Sequence, residues 1–442
     1  MEKQMISDNF WNIELETLSR DKLESLQEER FIKTVRLAWE SPFYKEKLTK
    51  AGLTPDSINS LADLQKLPFT DKQDLRSSYP YGFLCVPKDR LIRVHVSSGT
   101  TGQATAIFYT RSDISAWAEL MARCMYMTGA RPGDVFQNMT GYGLFTGGLG
   151  FHYGAELIGL LTVPSGAGNS KRQLQLMRDF GTTVIHIIPS YALRFMDYLV
   201  EQGVDPKRDL NLRIAYLGAE PYSEEVRKRV EEFYGVKVYN SYGLSEMNGP
   251  GVAFECPYQN GMHLWEDSYI VEIINPETGE PVPEGTIGEL VLTTINREGM
   301  PLLRYRTKDL TRIISGPCLC GRNHIRIDRI QGRSDDMFII KGVNIFPIQI
   351  EQVLMAIPEV GTNYRIVLKR EKNVDEMIVQ VEVTDKVFVE DMRELNRLRS
   401  KIQHELRSEL LVTPNVELVE PNGLPRQEGK AVRLIDLRNQ QV

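Results

Sequence analysis

Four short motifs place glycine next to hydroxyl, acidic or basic side chains, and they are the strongest candidates for a binding site. The first has the sequence Ser-Ser-Gly-Thr-Thr-Gly and consists of Ser97, Ser98, Gly99, Thr100, Thr101 and Gly102. Its glycines allow a tight turn that brings backbone amides close to an anion, and its hydroxyls add donors for phosphate oxygens. The motif predicts a phosphate-binding loop, although a solvated Ser/Thr-rich turn has the same composition.

The second and third motifs carry aromatic and acidic side chains. Tyr-Gly-Leu-Ser-Glu begins at Tyr242 and ends at Glu246, and Tyr-Arg-Thr-Lys-Asp ends at Asp309. An aromatic ring can stack on a purine, and a carboxylate beside phosphates serves chiefly as a magnesium ligand. Asp309 could accept hydrogen bonds from both hydroxyls of a ribose. Taken singly, each motif is also explained by an exposed tyrosine, a helix-capping acid or a loop of mixed charge.

The fourth motif, Gly-Leu-Pro-Arg-Gln-Glu-Gly-Lys, lies near the end of the chain and finishes at Lys430. A lysine on a glycine-containing loop of a small, mobile domain can enter a site only when that domain closes. The alternative is a polar turn near a frayed terminus, which is common.

A fifth pattern consists of side chains that bind transition metals. Cys256 and His263 are separated by six residues, and Cys318 and Cys320 by one. Four such ligands from two loops predict a closed, structural tetrahedral zinc site. The Cys-x-Cys spacing is tighter than usual, and His324 could replace His263. Reduced, partly buried cysteines without a metal are the alternative.

Three predicted strands end in polar, glycine-bearing loops: the first motif at Ser97, Gly-Ala-Glu-Pro at Gly218 and the second motif at Tyr242. Short apolar runs alternate with helical segments from about residue 92 onward, which is typical of a largely parallel α/β core. Ligands of such sheets gather at the carboxyl ends of the strands. The predicted strands cover residues 92–96, 183–188, 214–217 and 236–239.

The remaining sequence predicts an α/β fold in two domains. The first eighty residues have helical spacing, and residues 268–314 have the alternation of a small antiparallel, β-rich subdomain. A large N-terminal domain is therefore expected over residues 1–333, and a small, mobile α+β domain over 334–442. The small domain should contain a hairpin at residues 364–383 and an amphipathic helix. The apolar face of that helix is predicted to hold Met392, Leu395, Leu398, Ile402 and Leu406.

Composition excludes several classes of protein. A net charge of −6 and a pI near 5.7 give no electrostatic basis for nucleic-acid binding. The N-terminal residues lack the apolar core of a signal peptide, and no apolar stretch is long enough to span a membrane. Five cysteines in 442 residues do not form a disulfide framework, so a reducing cytoplasm is expected.

The order and spacing of the motifs resemble the acyl-adenylate-forming superfamily, which includes acyl-CoA synthetases, luciferases and the adenylation domains of peptide synthetases. Within it the sequence is most similar to the family of phenylacetate–CoA ligases. The resemblance covers nearly the whole chain and rests on SSGTTG at Ser97, GAEP at Gly218, YGLSE at Tyr242, YRTKD at Tyr305, GRSDDM and IKGVNIFP at residues 332–347, and LPRQEGKAVR at Leu424.

The resemblance implies an ATP-dependent, AMP-forming acid–CoA ligase with ATP, Mg²⁺ and CoA as cofactors and co-substrates. It implies that Glu246 holds magnesium and that Lys430 bridges the attacking carboxylate and the α-phosphate. The small domain would pivot at Asp335, and Lys341 and Gly342 would then face the CoA tunnel. The ATP-binding residues implied are Ser97, Ser98, Gly99, Thr100, Thr101, Gly102, Gly218, Ala219, Glu220, Tyr242, Gly243, Asp309 and Arg333.

The acid pocket implied by the resemblance is the segment Gly-Tyr-Gly-Leu-Phe-Thr-Gly-Gly. Its lining would be Tyr142, Gly143, Phe145, Thr146 and Gly147, and its aromatic rings suit a flat aryl acid. Thr140 stands where a second aromatic residue is expected in phenylacetate enzymes. Indoleacetate and substituted phenylacetates therefore stay open as substrates.

Other interpretations stay open as well. The first motif continues with Gln103 and Ala104, where the superfamily usually has Pro-Lys. Transfer to a carrier protein is disfavoured because no carrier domain is appended. A non-catalytic nucleotide-binding module would have no need of a mobile lysine. A homodimer is neither predicted nor excluded.

Overall fold

The computed structural model describes residues 9–97, 104–144, 146–371, 374–384, 387, 392–425 and 431–438. The first half of this part of the chain alternates helices and strands, as predicted. Its α-helices are α1 Ile13–Glu16, α2 Arg20–Ala38, α3 Pro42–Lys50, α4 Lys72–Ser77, α5 Arg111–Met127, α6 Gly147–Ile158, α7 Ser170–Phe180, α8 Pro189–Glu201, α9 Pro206–Asp209 and α10 Glu224–Tyr234. Short 3-10 helices cover Pro55–Ser57, Leu61–Lys66, Lys88–Arg90 and Ser245–Met247.

The large domain is built around one nine-stranded sheet. Strands β4, β3, β5, β6 and β7 lie side by side and run parallel, which confirms the predicted α/β core. The strands of the large domain are β1 Leu91–Ser97, β2 Thr105–Thr110, β3 Val135–Asn138, β4 Leu161–Val163, β5 Val184–Ile187, β6 Ile214–Gly218, β7 Lys237–Leu244, β8 Gly249–Glu255, β9 Met262–Leu264, β10 Tyr269–Ile274, β11 Gly288–Thr294, β12 Tyr305–Thr311, β13 Ile313–Ile314, β14 Arg326–Ile327 and β15 Gly332–Arg333.

A second sheet confirms the predicted β-rich region. It is antiparallel and has the order β10, β11, β12, β15, so that Asp309 on β12 is paired with Arg333 on β15. Strands β1 and β2 form a separate antiparallel pair, so the prediction that residues 92–96 belong to the parallel core was wrong. The first predicted motif connects them, because it begins at the last residue of β1.

The C-terminal domain has two sheets and two helices within the described residues. Its elements are β16 Phe338–Ile340, β17 Val343–Ile345, α11 Pro347–Met355, β18 Val360–Glu371, β19 Val374–Val383, α12 Met392–Leu410, β20 Asn415–Val419 and β21 Leu434–Asp436. The predicted hairpin is β18 and β19, and the buried face of α12 holds Leu398, Ile402, Leu406 and Leu410. The prediction for Met392 was wrong, because this first helical residue is 68% exposed and its turn extends beyond the core.

The two domains share apolar contacts. One core cluster contains Val226 and Val230 of α10 together with Ile350 and Leu354 of α11. Since each helix buries one face in this cluster, the C-terminal domain is packed against the large domain rather than tethered to it. Among the residues described, no helix combines the length and apolar character needed to cross a bilayer.

Candidate active site

Four polar segments meet at the carboxyl ends of the parallel strands. β3 ends at Asn138, β6 at Gly218 and β7 at Leu244, and α8 begins just beyond the end of β5. Adjacent parallel strands carry their loops at the same edge of the sheet, so residues far apart in sequence become neighbours. This is the position that the sequence predicted for the site.

A set of four residues, which we call the carboxylate centre, lies at this edge: Tyr242, Glu246, Asp309 and Arg333. The Tyr242 hydroxyl donates a hydrogen bond to Asp309 Oδ2 at 2.6 Å. The Arg333 guanidinium contacts Asp309 Oδ1 at 3.3 Å and makes a two-point ion pair with Asp335. The second and third sequence motifs therefore meet through Tyr242 and Asp309, a contact that their separate assignments did not anticipate.

Asp309 is held in an environment that opposes its charge. Burial is the largest effect and raises the pKa of Asp309 to about 6, while the hydrogen bond from Tyr242 and the charge of Arg333 act in the opposite direction. Burial also raises the pKa of Tyr242 well above its ordinary value, so this hydroxyl remains a donor at neutral pH. Each Asp309 oxygen keeps lone pairs that can accept further hydrogen bonds.

Glu246 is a nearly buried carboxylate beside a cation that the sequence analysis did not single out. Its Oε1 atom lies 3.4 Å from Nζ of Lys72 on α4. The Glu246 carbonyl accepts a hydrogen bond from Arg297, which holds the short helical turn in place. A desolvated carboxylate with an exchangeable ammonium partner is a suitable ligand for Mg²⁺, which prefers one or two carboxylates beside phosphates. Lys72 belongs to no motif, and no sequence pattern could have identified it.

Two glycines of the predicted nucleotide wall are required by packing. A Cβ atom on Gly218 would lie 2.3 Å from the Ser241 carbonyl oxygen, and one on Gly243 would lie 2.0 Å from that of Gly249. Both are much closer than real Cβ contacts, so glycine is needed where β6, β7 and β8 approach one another. Ala219, the next residue after Gly218, has φ of 69° and is exposed.

The loop predicted to line the acid pocket is held by Asn138. Its side-chain amide donates hydrogen bonds to the Tyr142 hydroxyl at 2.9 Å and to the Gly148 carbonyl at 2.7 Å. The Tyr142 hydroxyl also contacts His152 at 3.2 Å, and burial raises the Tyr142 pKa to about 12. Thr146 makes a hydroxyl contact of 3.2 Å with Ser245, so the pocket loop touches the segment that carries Glu246.

Behind this loop lies a buried polar trio that the sequence analysis did not predict. Thr140 donates to Asn138 Oδ1 at 2.8 Å, and His186 Nδ1 lies 3.1 Å from the same oxygen. Burial lowers the pKa of His186 to about 3, so its ring is neutral. Because Asn138 Oδ1 is an acceptor, Nδ1 of His186 carries the proton. A threonine at position 140 thus takes part in a polar network rather than filling the pocket with an aromatic ring.

Several predicted site residues lie outside the described part of the chain: Ser98, Gly99, Thr100, Thr101, Gly102, Phe145 and Lys430. The flanking residues are placed, since Ser97 ends β1 and pairs with Thr105. Gly143 and Gly147 lie on the pocket loop and at the start of α6. Asp335 is exposed, and Lys341 and Gly342 form the exposed turn between β16 and β17.

Glu220 connects the large domain to the segment after Lys430. Its Oε1 atom accepts a hydrogen bond from the backbone N–H of Ala431 at 2.7 Å. The same side chain accepts bonds from the Oγ and backbone N–H of Ser190, at 2.9 and 3.1 Å. The sequence analysis placed Glu220 among the ATP-binding residues, and it did not predict the contact with Ala431.

The predicted metal ligands come together at the antiparallel end of the nine-stranded sheet, on or beside β8, β9, β13 and β14. Cys256, His263, Cys318 and Cys320, here called the cysteine–histidine cluster, place one ligand atom each within 4.8 Å of one another. The Sγ atoms of Cys256 and Cys318 are 3.6 Å apart, and Cys320 Sγ is 3.1 Å from His263 Nε2. The contact between Cys256 and Cys318 lowers the pKa of Cys318, because the Cys256 thiol donates to it.

The orientation of His263 leaves one ring nitrogen for the cluster. Its Nδ1 atom donates to the His324 carbonyl at 3.1 Å, so the lone pair lies on Nε2, which points to Cys320. Carbonyl acceptors behind metal-binding histidines fix the ring in the same way. His324 is excluded as the fourth ligand, because both of its ring nitrogens are already occupied. Its Nδ1 atom accepts a hydrogen bond from the backbone N–H of Glu266, and its Nε2 atom contacts the Leu15 carbonyl. The four residues fit a tetrahedral Zn²⁺ ion in donor type and number.

Two family models match the chain. The model described as "AMP-binding enzyme" matches residues 24–296, and the one described as "AMP-binding enzyme C-terminal domain" matches residues 342–438. Together they cover both domains seen in the structure.

Curated relatives match over nearly their whole length. Phenylacetate-coenzyme A ligase of Thermus thermophilus is 47% identical over 440 residues, which is 96% of this chain and 99% of that protein. Phenylacetate-coenzyme A ligase of Escherichia coli is 41% identical and covers 96% of this chain and 97% of its own.

Solved structures share the fold of this chain and differ in how their domains are arranged. 2-Hydroxyisobutyryl-CoA ligase in the postadenylation state with 2-HIB-AMP superposes with a TM-score of 0.92 at 32% identity, over 97% of this chain and 92% of that one. The same enzyme with 2-HIB-AMP and CoA in its thioesterification state gives a TM-score of only 0.73, over 98% and 93% of the two chains at 33% identity. The domains of the present chain are therefore arranged as in the postadenylation state. The chain belongs to the AMP-binding enzyme family, as an ATP-dependent, AMP-forming acid–CoA ligase that works through an acyl-adenylate.

Proposed function

We propose that the chain converts phenylacetate, ATP and CoA to phenylacetyl-CoA, AMP and diphosphate. The observation that carries this substrate is the likeness, over 96% of the chain, to phenylacetate-coenzyme A ligases from several bacteria. The aromatic Tyr142 beside glycine-rich backbone suits a flat ring.

The reaction has two steps that need different arrangements of groups. A carboxylate oxygen of the acid attacks the α-phosphorus of ATP, and the bond from that phosphorus to diphosphate breaks. The CoA sulfur then attacks the acyl carbon, and the bond from that carbon to AMP breaks. The first step gathers negative charge at the α-phosphate, so positioning and charge neutralisation carry the catalysis.

The residues of the carboxylate centre divide these tasks. Asp309 accepts the ribose hydroxyls, Tyr242 packs beside the adenine and Arg333 completes the ribose side. Glu246 and Lys72 face the phosphates, together with the loop from Ser97 to Gly102. When Mg²⁺ is bound, it neutralises phosphate charge beside Glu246. Lys430 bridges the carboxylate and the α-phosphate in the first step.

The C-terminal domain changes position between the two steps. We place the domain boundary between residues 333 and 334, with Asp335 as the pivot and Lys341 and Gly342 on the CoA tunnel in the second state. Replacing Asp335 by proline should spare adenylate formation and impair thioester formation, because proline fixes φ at the pivot. Equal loss of both steps would contradict the pivot.

The cysteine–histidine cluster holds a structural zinc ion. Its support is the closeness of the four ligand atoms and the orientation of His263 toward Cys320. All four protein ligands are used, so the ion would have no open position for chemistry. The purified protein should contain about one zinc per chain by elemental analysis.

We also infer a cytoplasmic location, while a homodimer stays an open alternative. The five cysteines are free thiols, three of them gathered in the cluster, as expected for a reducing compartment. Light scattering after size-exclusion chromatography and cell fractionation test the two statements.

The decisive experiment measures diphosphate release with ATP, Mg²⁺ and a panel of aryl and alkyl acids, with and without CoA. Release that depends on phenylacetate, together with AMP and phenylacetyl-CoA, is the expected result. Thr140 favours a second candidate substrate, a larger or polar arylacetate such as indoleacetate. If that acid is the true substrate, it should give the highest kcat/KM of the panel. No release with any acid would contradict the ligase function and leave a nucleotide-binding module.

A further inference from the structure

Ala431, the residue after Lys430, is attached to the large domain through a carboxylate. Ala431 directly follows Lys430, and its backbone N–H donates to Glu220 Oε1 at 2.7 Å. The two residues are 211 positions apart, and the contact crosses from one domain to the other. A charged acceptor makes this hydrogen bond stronger than one between neutral groups.

Glu220 is fixed within the large domain by other contacts. Its Oε1 atom accepts from Ser190 Oγ at 2.9 Å, and its Oε2 atom accepts from the Ser190 backbone N–H at 3.1 Å. Ser190 lies in the first turn of α8, where the helix dipole favours a negative charge. Both carboxylate oxygens are therefore held, so the acceptor for Ala431 has a defined position before the small domain docks.

Other contacts between the domains involve α11 and β18 rather than the backbone beside Lys430. Glu351 of α11 accepts from the backbone N–H of Ser223 at 2.9 Å, and Thr362 donates to Asp197 at 2.8 Å. These contacts hold α11 and β18 against the large domain. The Glu220 contact differs because it acts on the backbone beside the predicted catalytic lysine.

We propose that Glu220 is a positioning residue for adenylate formation: it holds Ala431, the residue after Lys430, against the large domain in the first step and releases it for the second. The inference rests on the proposed two-step function. It agrees with the domain arrangement, which is that of a postadenylation state, so the contact belongs to the first half of the cycle.

The test compares the two steps in Glu220→Ala. The rate of acid-dependent diphosphate release without CoA reports adenylate formation, and single-turnover addition of CoA to preformed adenylate reports thioester formation. Loss of a charge-assisted hydrogen bond next to the lysine should lower the first rate by roughly 10- to 100-fold. The ratio of the first rate to the second should fall by about tenfold or more. Affinity for ATP, measured by equilibrium binding, separates this effect from a direct role in the adenine wall.

Two further variants keep the test independent of folding. Ala431→Pro removes the donor N–H while Glu220 and Ser190 stay in place, and it should change the ratio in the same direction. Glu220→Ala combined with Ala431→Pro should be no slower than the slower single variant, because both remove one hydrogen bond. Thr362→Val removes a contact between the domains of similar length, and its ratio should stay near that of the wild type.

The outcomes are distinct. A wild-type ratio in Glu220→Ala, equal loss of both steps, or an equal effect of Thr362→Val would overturn the positioning role. A large loss of ATP affinity at unchanged maximal rate would assign Glu220 to the adenine wall instead. If the wild-type protein released no diphosphate with any acid, the proposed function itself would fail.

Discussion

The carboxylate centre and the cysteine–histidine cluster differ in how complete they are within the large domain. The cluster gathers four ligand atoms within 4.8 Å, and three of its four residues are buried. The carboxylate centre instead keeps free lone pairs on Asp309 and Glu246 and pairs them with partly exposed cations, Arg333 and Lys72. A closed set of ligand atoms suits a permanently bound ion, whereas partly open carboxylates suit a substrate that enters and leaves.

The largest expected effect tests whether the carboxylate centre depends on the C-terminal domain. Lys430→Ala should lower the rate of adenylate formation by roughly 10²- to 10³-fold, because one cation at a developing charge is lost. Acid-dependent diphosphate release measures this rate. The zinc content should not change, since the cluster lies wholly in the large domain.

Lys341→Ala is the matched control for Lys430, because it removes a lysine of the same domain at the exposed turn between β16 and β17. It should spare diphosphate release and slow the step with CoA. If both variants lost diphosphate release and the step with CoA to the same extent, both lysines would act through the stability of the domain alone.

The second effect tests whether the cluster holds a metal. Cys318→Ser should reduce zinc affinity by at least roughly 100-fold. Removing a group that only hydrogen-bonds a metal ligand already lowers metal affinity by about 10- to 100-fold, and this variant removes the ligand itself. Elemental analysis and the melting temperature, with and without added zinc, measure the change. Cys85→Ser alters a buried cysteine outside the cluster and should leave the zinc content unchanged. Full zinc content in Cys318→Ser would refute the site.

The third effect tests the buried charge of the carboxylate centre. The pKa of Asp309 is raised from its ordinary value of 3.8 to about 6, so the carboxylate gains a proton as the pH falls through 6. The kcat/KM for ATP should then fall by about tenfold per unit of pH below 6, because the ribose loses an anionic acceptor. Because the pKa of Asp309 is raised in the folded chain, its protonation stabilises the folded state relative to the unfolded one. Loss of stability through this residue therefore does not explain the fall in kcat/KM.

Asp309→Asn provides the comparison for the pH profile. It should have a low kcat/KM for ATP without the decline near pH 6. A decline that persists in this variant would assign the titration to a different group.

The smallest effect concerns the acid pocket beside the carboxylate centre. Thr140→Val removes the hydroxyl that donates to Asn138 and should loosen the support of Tyr142. The ratio of kcat/KM between phenylacetate and a larger arylacetate should change by up to about tenfold. Leu144→Ala alters an exposed residue of the same loop and should leave the ratio unchanged. The same ratio in the wild type, Thr140→Val and Leu144→Ala would show that Thr140 does not influence which acid is preferred.

Sequence patterns identified elements with strong local signals. Three of the five parallel strands, β5, β6 and β7, were predicted from short apolar runs, and α12 from its helical spacing. The prediction for Met392 was wrong because the periodic pattern does not show where a helix leaves the core. Gly218 and Gly243 were noted for ligand contact, and their close approach to Ser241 and Gly249 became visible only in the packed sheet.

The sequence by itself determined the chemistry available to this protein: the order of its motifs, the α/β core and the three cysteines and one histidine of the cluster, because these depend on residue type and local spacing. Only the tertiary structure decided that Tyr242 donates to Asp309, that Lys72 faces Glu246, that His263 rather than His324 completes the cluster, and that Glu220 holds the backbone after Lys430. Each of these contacts joins residues distant in sequence. Their pairing depends on how strands and domains pack, and no local pattern encodes it.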